Sequence, residues 1–200
     1  MAFLPLRSAG KPFRGKTLSA HTGTFWSEWT SSRRNYVLFF IHLETRRVRL
    51  VGFTPYPDQD WLEQQARNLT MEQWGCLRGS RYLLHDRDTK FCESFRELIE
   101  SGSVNPLRLP ASSPNLNSYA ERWVRSVKEE CLAKLILVGE SSLRRALQQY
   151  LLHYHEERNH QGKENRMLFP SQTKARRKEG AVRCRERLGG LLKYYEREAA

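Results

Sequence analysis

The chain has 200 residues, enough for one domain with a buried core, and 34 lysines and arginines against 22 acids give it a formal net charge of +12. No apolar run is long enough to cross a bilayer, and the opening Met1 to Arg7 is too short for the apolar stretch of a secretion signal. Cys76, Cys92, Cys131 and Cys184 have no paired spacing, which argues against a disulfide framework or a cysteine-based zinc site, so the expectation is a soluble protein of a reducing, cytoplasmic setting. The charge is uneven: residues 1–35 carry +5, residues 36–158 only +1 and residues 159–200 +6. A nearly neutral centre between basic arms suits a polyanionic partner, because Lys and Arg contacts to phosphate release counterions; solvated, irregular ends are the plain alternative.

Residues 1–20 mix Gly10, Pro12, Gly15 and basic residues without a period, and little order is expected there. Phe25, Trp26 and Trp29 suggest a strand over 22–30, with broken alternation. Tyr36 to Leu43 is an almost unbroken apolar run, the pattern of a strand buried on both faces, and residues 44–47 turn into a partner strand at 48–54. Pro55 and Pro57 stop that strand. Asp58 can cap a helix that buries Trp61, Leu62, Ala66 and Leu69 and runs on towards Gln73 and Trp74. A short strand, Tyr82 to Leu84, precedes a helix with Phe91, Phe95, Leu98 and Ile99 at helical spacing, for which Asp88 or Thr89 is the expected cap and Gly102 the stop. Val104 to Leu109 reads as a strand, and Pro106 places it at a sheet edge. A helix from Ser118 to about Leu135 buries Ala120, Trp123, Val124, Val127 and Cys131, and a further helix starts near Ser142. Beyond Asn159 no period is sustained until 188–195, where a short helix fits. This order of elements predicts an α/β fold.

Within this frame the stretch from His85 to Lys128 is the most distinctive. Asp86 follows the Tyr82 to Leu84 run, at a strand's C-terminal end, where open α/β sheets place their chemistry. Glu121 follows the Pro/Ser/Asn loop of residues 110–117; Ser118-x-x-Glu121 also has the form of a capping box, in which the acid merely closes a helix start. Arg125 and Lys128 share the helix face of Glu121, as phosphate contacts or as ordinary solvated charge. His153, His155 and His160 do not form a zinc set, since positions 153 and 155 lie on different helix faces with no cysteine near.

The strand-end Asp86 with Phe91 beyond it, followed by Ser113-Pro114-x-x-Asn117-Ser118-x-Ala120-Glu121-Arg122, resembles the catalytic core of DDE integrases and insertion-sequence transposases, over roughly 36–159. The resemblance implies a ribonuclease H-like fold: a mixed central sheet flanked by helices, here with basic irregular N- and C-terminal segments. It implies that Asp86 and Glu121 are the second and third acids of a site holding Mg²⁺ or Mn²⁺ for strand transfer on DNA, and that Arg125 and Lys128 contact DNA. Carboxylate oxygens are the hard ligands Mg²⁺ prefers, and paired ions activate the attacking oxygen and stabilise the leaving one.

The family's first Asp is the gap. It belongs on a strand ahead of Tyr36, yet no Asp occurs before Asp58, and the place falls near Thr24, or at Gly23 or Phe25 in another register. Glu28, four residues from Thr24, lies about 13 Å along a strand at ~3.3 Å per residue, too far to join the same cluster. The expected organisation is a basic segment at 1–21, an integrase-like core at 22–158 with a degenerate first strand, and a basic tail at 159–200. The expected function is a transposase- or integrase-like protein, a DDE polynucleotidyl transferase by family and impaired as an enzyme; the alternative is a non-catalytic nucleic-acid-binding remnant. DNA is the expected partner, membranes are not, and a homo-oligomer is compatible with the resemblance.

Overall fold

The apolar run at 36–43 sits in a central strand whose alternation sets the architecture. Val37, Phe39 and Ile41 face one side and Leu38 and Phe40 the other, each at most 3% exposed. A computed structural model describes residues 19–29, 33–71, 79–110, 114–170 and 180–197, together with Gly75 and Leu77. Its elements are β1 (Ser19–Trp29), β2 (Arg33–His42), β3 (Val48–Thr54), α1 (Gln59–Thr70), β4 (Tyr82–His85), α2 (Glu93–Ser101), β5 (Asn105–Arg108), α3 (Pro114–Glu130), α4 (Gly139–Glu156), β6 (Val182–Arg187) and β7 (Leu192–Arg197). A five-stranded sheet has the order β3-β2-β1-β4-β5, antiparallel from β1 to β3 and parallel from β1 through β4 to β5. The fold is therefore mixed α/β.

One core lies between the sheet and α3 and α4, where Phe39 packs against Trp123 with ring centroids 4.3 Å apart, joined by Val127, Leu147 and Tyr150. The other lies between the sheet and α1 and α2, built on Leu62, Ala66, Phe95 and Ile99. Gly52 lets α1 approach the edge strand β3, since a Cβ there would stand 2.6 Å from the Trp61 ring. The register of β2 with β3 shifts between Leu38 and Phe39, a bulge inside the longest apolar run.

Asp58 caps α1 as expected, its Oδ1 accepting from Trp61 N at 2.9 Å, but the helix ends at Thr70 with Met71 out of helical conformation, short of the expected run towards residues 73 and 74, which themselves lie outside the described residues. Elsewhere the structure corrects the sequence reading. The cap of α2 is Cys92, without a side-chain capping hydrogen bond, because Asp88, four residues earlier, is occupied in a turn, accepting from Lys90 N and Lys90 Nζ. Helix α3 begins at Pro114, not Ser118: proline suits the first helical position, where a missing N–H costs nothing and φ is already near the helical value. Strand β1 begins at Ser19, ahead of the core boundary expected at residue 22.

The expected helix at 188–195 is instead the turn and second strand of an antiparallel hairpin, β6 with β7, so this part of the C-terminal segment is not irregular. Leu188, Gly189 and Gly190 all have positive φ, between 53° and 87°, a run that reverses the chain and excludes a right-handed helix. The spacing of Leu188, Leu191, Leu192 and Tyr195 mimics a helical stripe, but in the hairpin Leu192 is buried in the core formed with α3 and α4 while Tyr195 is exposed.

Candidate active site

Strands β1, β4 and β5 run parallel, so their C-terminal ends lie at one margin of the sheet, and Asp86 is the first residue beyond β4. Its backbone and its side chain are each held by a neighbour. His85 is buried, and its Nδ1–H donates to the Asp86 carbonyl at 2.8 Å while its ring leans on Phe91. Asp86 Oδ1 accepts from Asp88 N at 3.1 Å, closing an Asx turn. Burial lowers the pKa of His85, favouring the neutral ring.

With α3 starting at Pro114, Glu121 stands two turns inside the helix rather than in its first turn. The capping-box reading fails on that geometry, because a cap's acid must reach the free N–H groups of the first turn. Glu121 is exposed, and one depression of about 400 Å³ is lined by Asp86, Glu121, Arg125 and Lys128, the four residues singled out in the sequence, on an apolar floor of Phe39, Ala120 and Val124. Asn117 and Glu129 complete the polar lining. Asn117 Oδ1 is buried without a hydrogen-bond partner, an oxygen donor that its place in the Ser113 to Arg122 motif does not by itself single out.

Register locates the gap in this lining. His21 pairs with Leu84 in the parallel ladder, and two residues further Gly23 comes level with Asp86. Across β2, Gly23 is the partner of Phe39, whose ring floors the depression, whereas Thr24 pairs with Leu38 of the opposite core. Among the described residues no three His, Cys, Asp or Glu side chains gather as a metal-ion site. The three C-terminal histidines are each committed elsewhere: His153 to Glu157, His155 Nε2 accepting from Val48 N, and His160 to the Tyr154 carbonyl.

Residues 103–167 match a family model described as an integrase core domain, a span that includes Glu121, Arg125 and Lys128 and leaves out Asp86 and β1. Over that span the chain is similar to an integrase core domain. No curated protein matches it in sequence. In fold, this core is similar to the HTLV-2 integrase catalytic core domain in complex with magnesium (trimeric form), with a TM-score of 0.57 at 9% identity over 78% of this chain and 97% of that one. It is similar to the catalytic core domain of BIV integrase, with a TM-score of 0.50 at 13% identity over 72% and 87% of the two chains. The catalytic domain of Mos1 mariner transposase gives a TM-score of 0.51 at 15% identity over 66% and 69%. At such identities these likenesses speak to the fold. No helix among the described residues is long and apolar enough to cross a membrane.

Proposed function

We propose that this chain is a DDE-type polynucleotidyl transferase core that acts on DNA and holds one divalent metal ion firmly, so that its strand transfer is strongly reduced. The observation that carries the reading is the single depression where two carboxylates from separate elements, Asp86 and Glu121, meet two cations, Arg125 and Lys128. Asp86, Glu121 and the unpartnered Oδ1 of Asn117 are hard oxygen donors and suit Mg²⁺ or Mn²⁺. A pair of such ions supplies activation of the attacking oxygen and stabilisation of the leaving one. Two ions need a further bridging carboxylate, and the level of the sheet beside Asp86 offers Gly23. Arg125 and Lys128 would take the DNA phosphates beside the carboxylates. The second reading, a non-catalytic DNA-binding remnant, draws its support from that same glycine.

Mn²⁺ titration by calorimetry, paired with a nicking assay on short duplexes, tests both. One ion is expected per wild-type chain, with none in Asp86→Asn or Glu121→Gln. Gly23→Asp should bind a second ion and raise metal-dependent nicking by about 100-fold, as several kcal/mol of transition-state stabilisation return. Wild-type chain that binds no Mn²⁺ would leave the remnant reading standing, while robust wild-type nicking abolished by Asp86→Asn would refute the impairment.

A further inference from the structure

The β6–β7 hairpin is sorted into two faces by its alternation. Along β7 the buried or half-buried Leu192, Tyr194 and Glu196 alternate with the exposed Lys193, Tyr195 and Arg197. The first set turns to the core. Leu192 packs with α3 and α4, its neighbour across the hairpin, Arg187, binds Glu157, and Glu196 accepts from Arg185 at 3.1 Å. The second set is left to solvent on a ribbon whose other face is anchored.

Tyr195 is the large side chain of that outer face and is 61% exposed. Tyr36 and Tyr119 each lie under a cation and Tyr150 and Tyr154 pack on one another, whereas no ring or cation rests on Tyr195 among the described residues. Its partner across the ribbon is Cys184, a short side chain that covers little of the ring. Lys193 and Arg197 stand on the same face, each two residues and thus about 7 Å along the strand from Tyr195. Glu186 meets Lys193 at 3.3 Å with both groups about half exposed, an ion pair that solvent screens and that a phosphate replaces at little cost. Arg197 Nη1 donates to the Gly180 carbonyl at 2.9 Å, which steadies the guanidinium without neutralising it.

We infer that Tyr195, flanked by Lys193 and Arg197, is a stacking platform for an unpaired nucleotide of single-stranded DNA. A base offers the tyrosine a flat π-face, and the backbone running on from that base in both directions brings a phosphate to each cation. A duplex keeps its bases stacked on one another and presents only groove edges and phosphates, so it would use the cations and leave the ring idle. Anchoring of the opposite face holds the ring in place before the strand arrives, which lowers the ordering cost of binding. The inference rests on the proposed function only in taking the nucleotide to be DNA, and it uses no residue of the depression.

The test is anisotropy titration of the full chain against a labelled oligothymidylate of about 15 nucleotides and against a duplex of the same length, across a salt series without added metal. Tyr195→Thr keeps strand propensity and removes the ring; it should weaken oligothymidylate binding about 10-fold, keep the salt slope, and leave duplex binding within about twofold of wild type. Tyr195→Phe should match wild type on both. Lys193→Gln with Arg197→Gln should lower the single-strand slope of log affinity against log salt by about 1.4, the share of two phosphates. A wild-type chain that does not bind the oligothymidylate, a Tyr195→Thr chain that binds it as wild type does, or an equal loss on the duplex would overturn the inference. Tighter binding of an oligouridylate of the same length would overturn its assignment to DNA. Asp86→Asn should change none of these values, so the platform and the site at Asp86 and Glu121 can fail separately.

Discussion

Two charged regions flank α4 and α3, and they are built on opposite terms. Behind α4, the carboxylate of Glu157 is 1% exposed, yet it accepts from Arg187 Nε and Nη2 at 2.7–3.1 Å and from His153 Nδ1 at 3.0 Å, with Arg185 a further 3.5 Å away. Arg187 also donates to Gln149 at 3.0 Å. Every polar atom there is spoken for, and the cluster pins the β6–β7 hairpin to the core. Around α3, by contrast, Arg46, Arg122 and Arg125 make no salt bridge among the described residues, although Asp86, Glu121 and Glu129 line the same depression as Arg125. At one end the acid is spent on architecture, while at the other carboxylates and Arg125 share a depression without a salt bridge between them, which separates charge that holds the fold together from charge kept for a partner.

Breaking the saturated cluster should have the largest effect on stability. Glu157→Ala leaves Arg187 buried without its counter-charge, and urea denaturation should show a loss of about 3–5 kcal/mol. A loss under 1 kcal/mol would mean that the hairpin is not pinned as described.

Acidification should come next. Burial pushes His155 down to about 4, with the positive charges of Arg47 and Arg49 adding to the effect, and its Nε2 accepts the Val48 N–H, so the folded state holds the ring neutral. The folded pKa lies below the unfolded value of 6.5, so stability from this residue is complete above that value and is lost as pH falls from 6.5 towards 4. The slope is at most about 1.4 kcal/mol per pH unit, or about 2 kcal/mol by pH 5. His85 and His160, likewise lowered by burial, titrate in the same direction. Thermal unfolding across this range checks it, and His155→Gln should flatten the dependence.

The smallest effect sharpens the contrast. Arg46→Gln with Arg122→Gln should leave stability within about 0.5 kcal/mol of wild type or raise it slightly, because the two charges repel and lack carboxylate partners. Destabilisation beyond about 2 kcal/mol would show them to be structural.

What the sequence revealed follows from where its signals are local. The doubly buried β2, the Asp58 cap and the edge position of β5 were readable because alternation, a cap residue and Pro106 each act on their own neighbourhood. So was the grouping of Asp86, Glu121, Arg125 and Lys128, through motif resemblance. The start of α3 was not, because Ser118-x-x-Glu121 imitates a capping box and Pro114 looks like a loop residue until it is seen at the first helical position. The hairpin was missed because leucines flanking Gly189 and Gly190 imitate a helical stripe. Gly23 could not be chosen over Thr24 from sequence, since only pairing with β2 and β4 fixes which residue stands beside Asp86. Arg46 and Arg122 lie far apart in the chain, and nothing short of the folded β2–β3 turn brings them together.

Pro106 has a consequence beyond its own strand. Asn105 N donates to Arg81 O and Leu109 N to His85 O, so the odd-numbered amides of this segment turn inward to β4 and the even-numbered positions look outward. At those outward positions stand Val104, whose amide is consumed by Ile99 O, then Pro106, then Arg108, then Pro110. The outer rim of β5 thus offers a passing strand one free amide, at Arg108, where a ladder needs a row of them. The sheet cannot be propagated from this side: fibril-like stacking or a strand-swapped dimer finds no template here, and a second copy that meets this edge must do so through side chains.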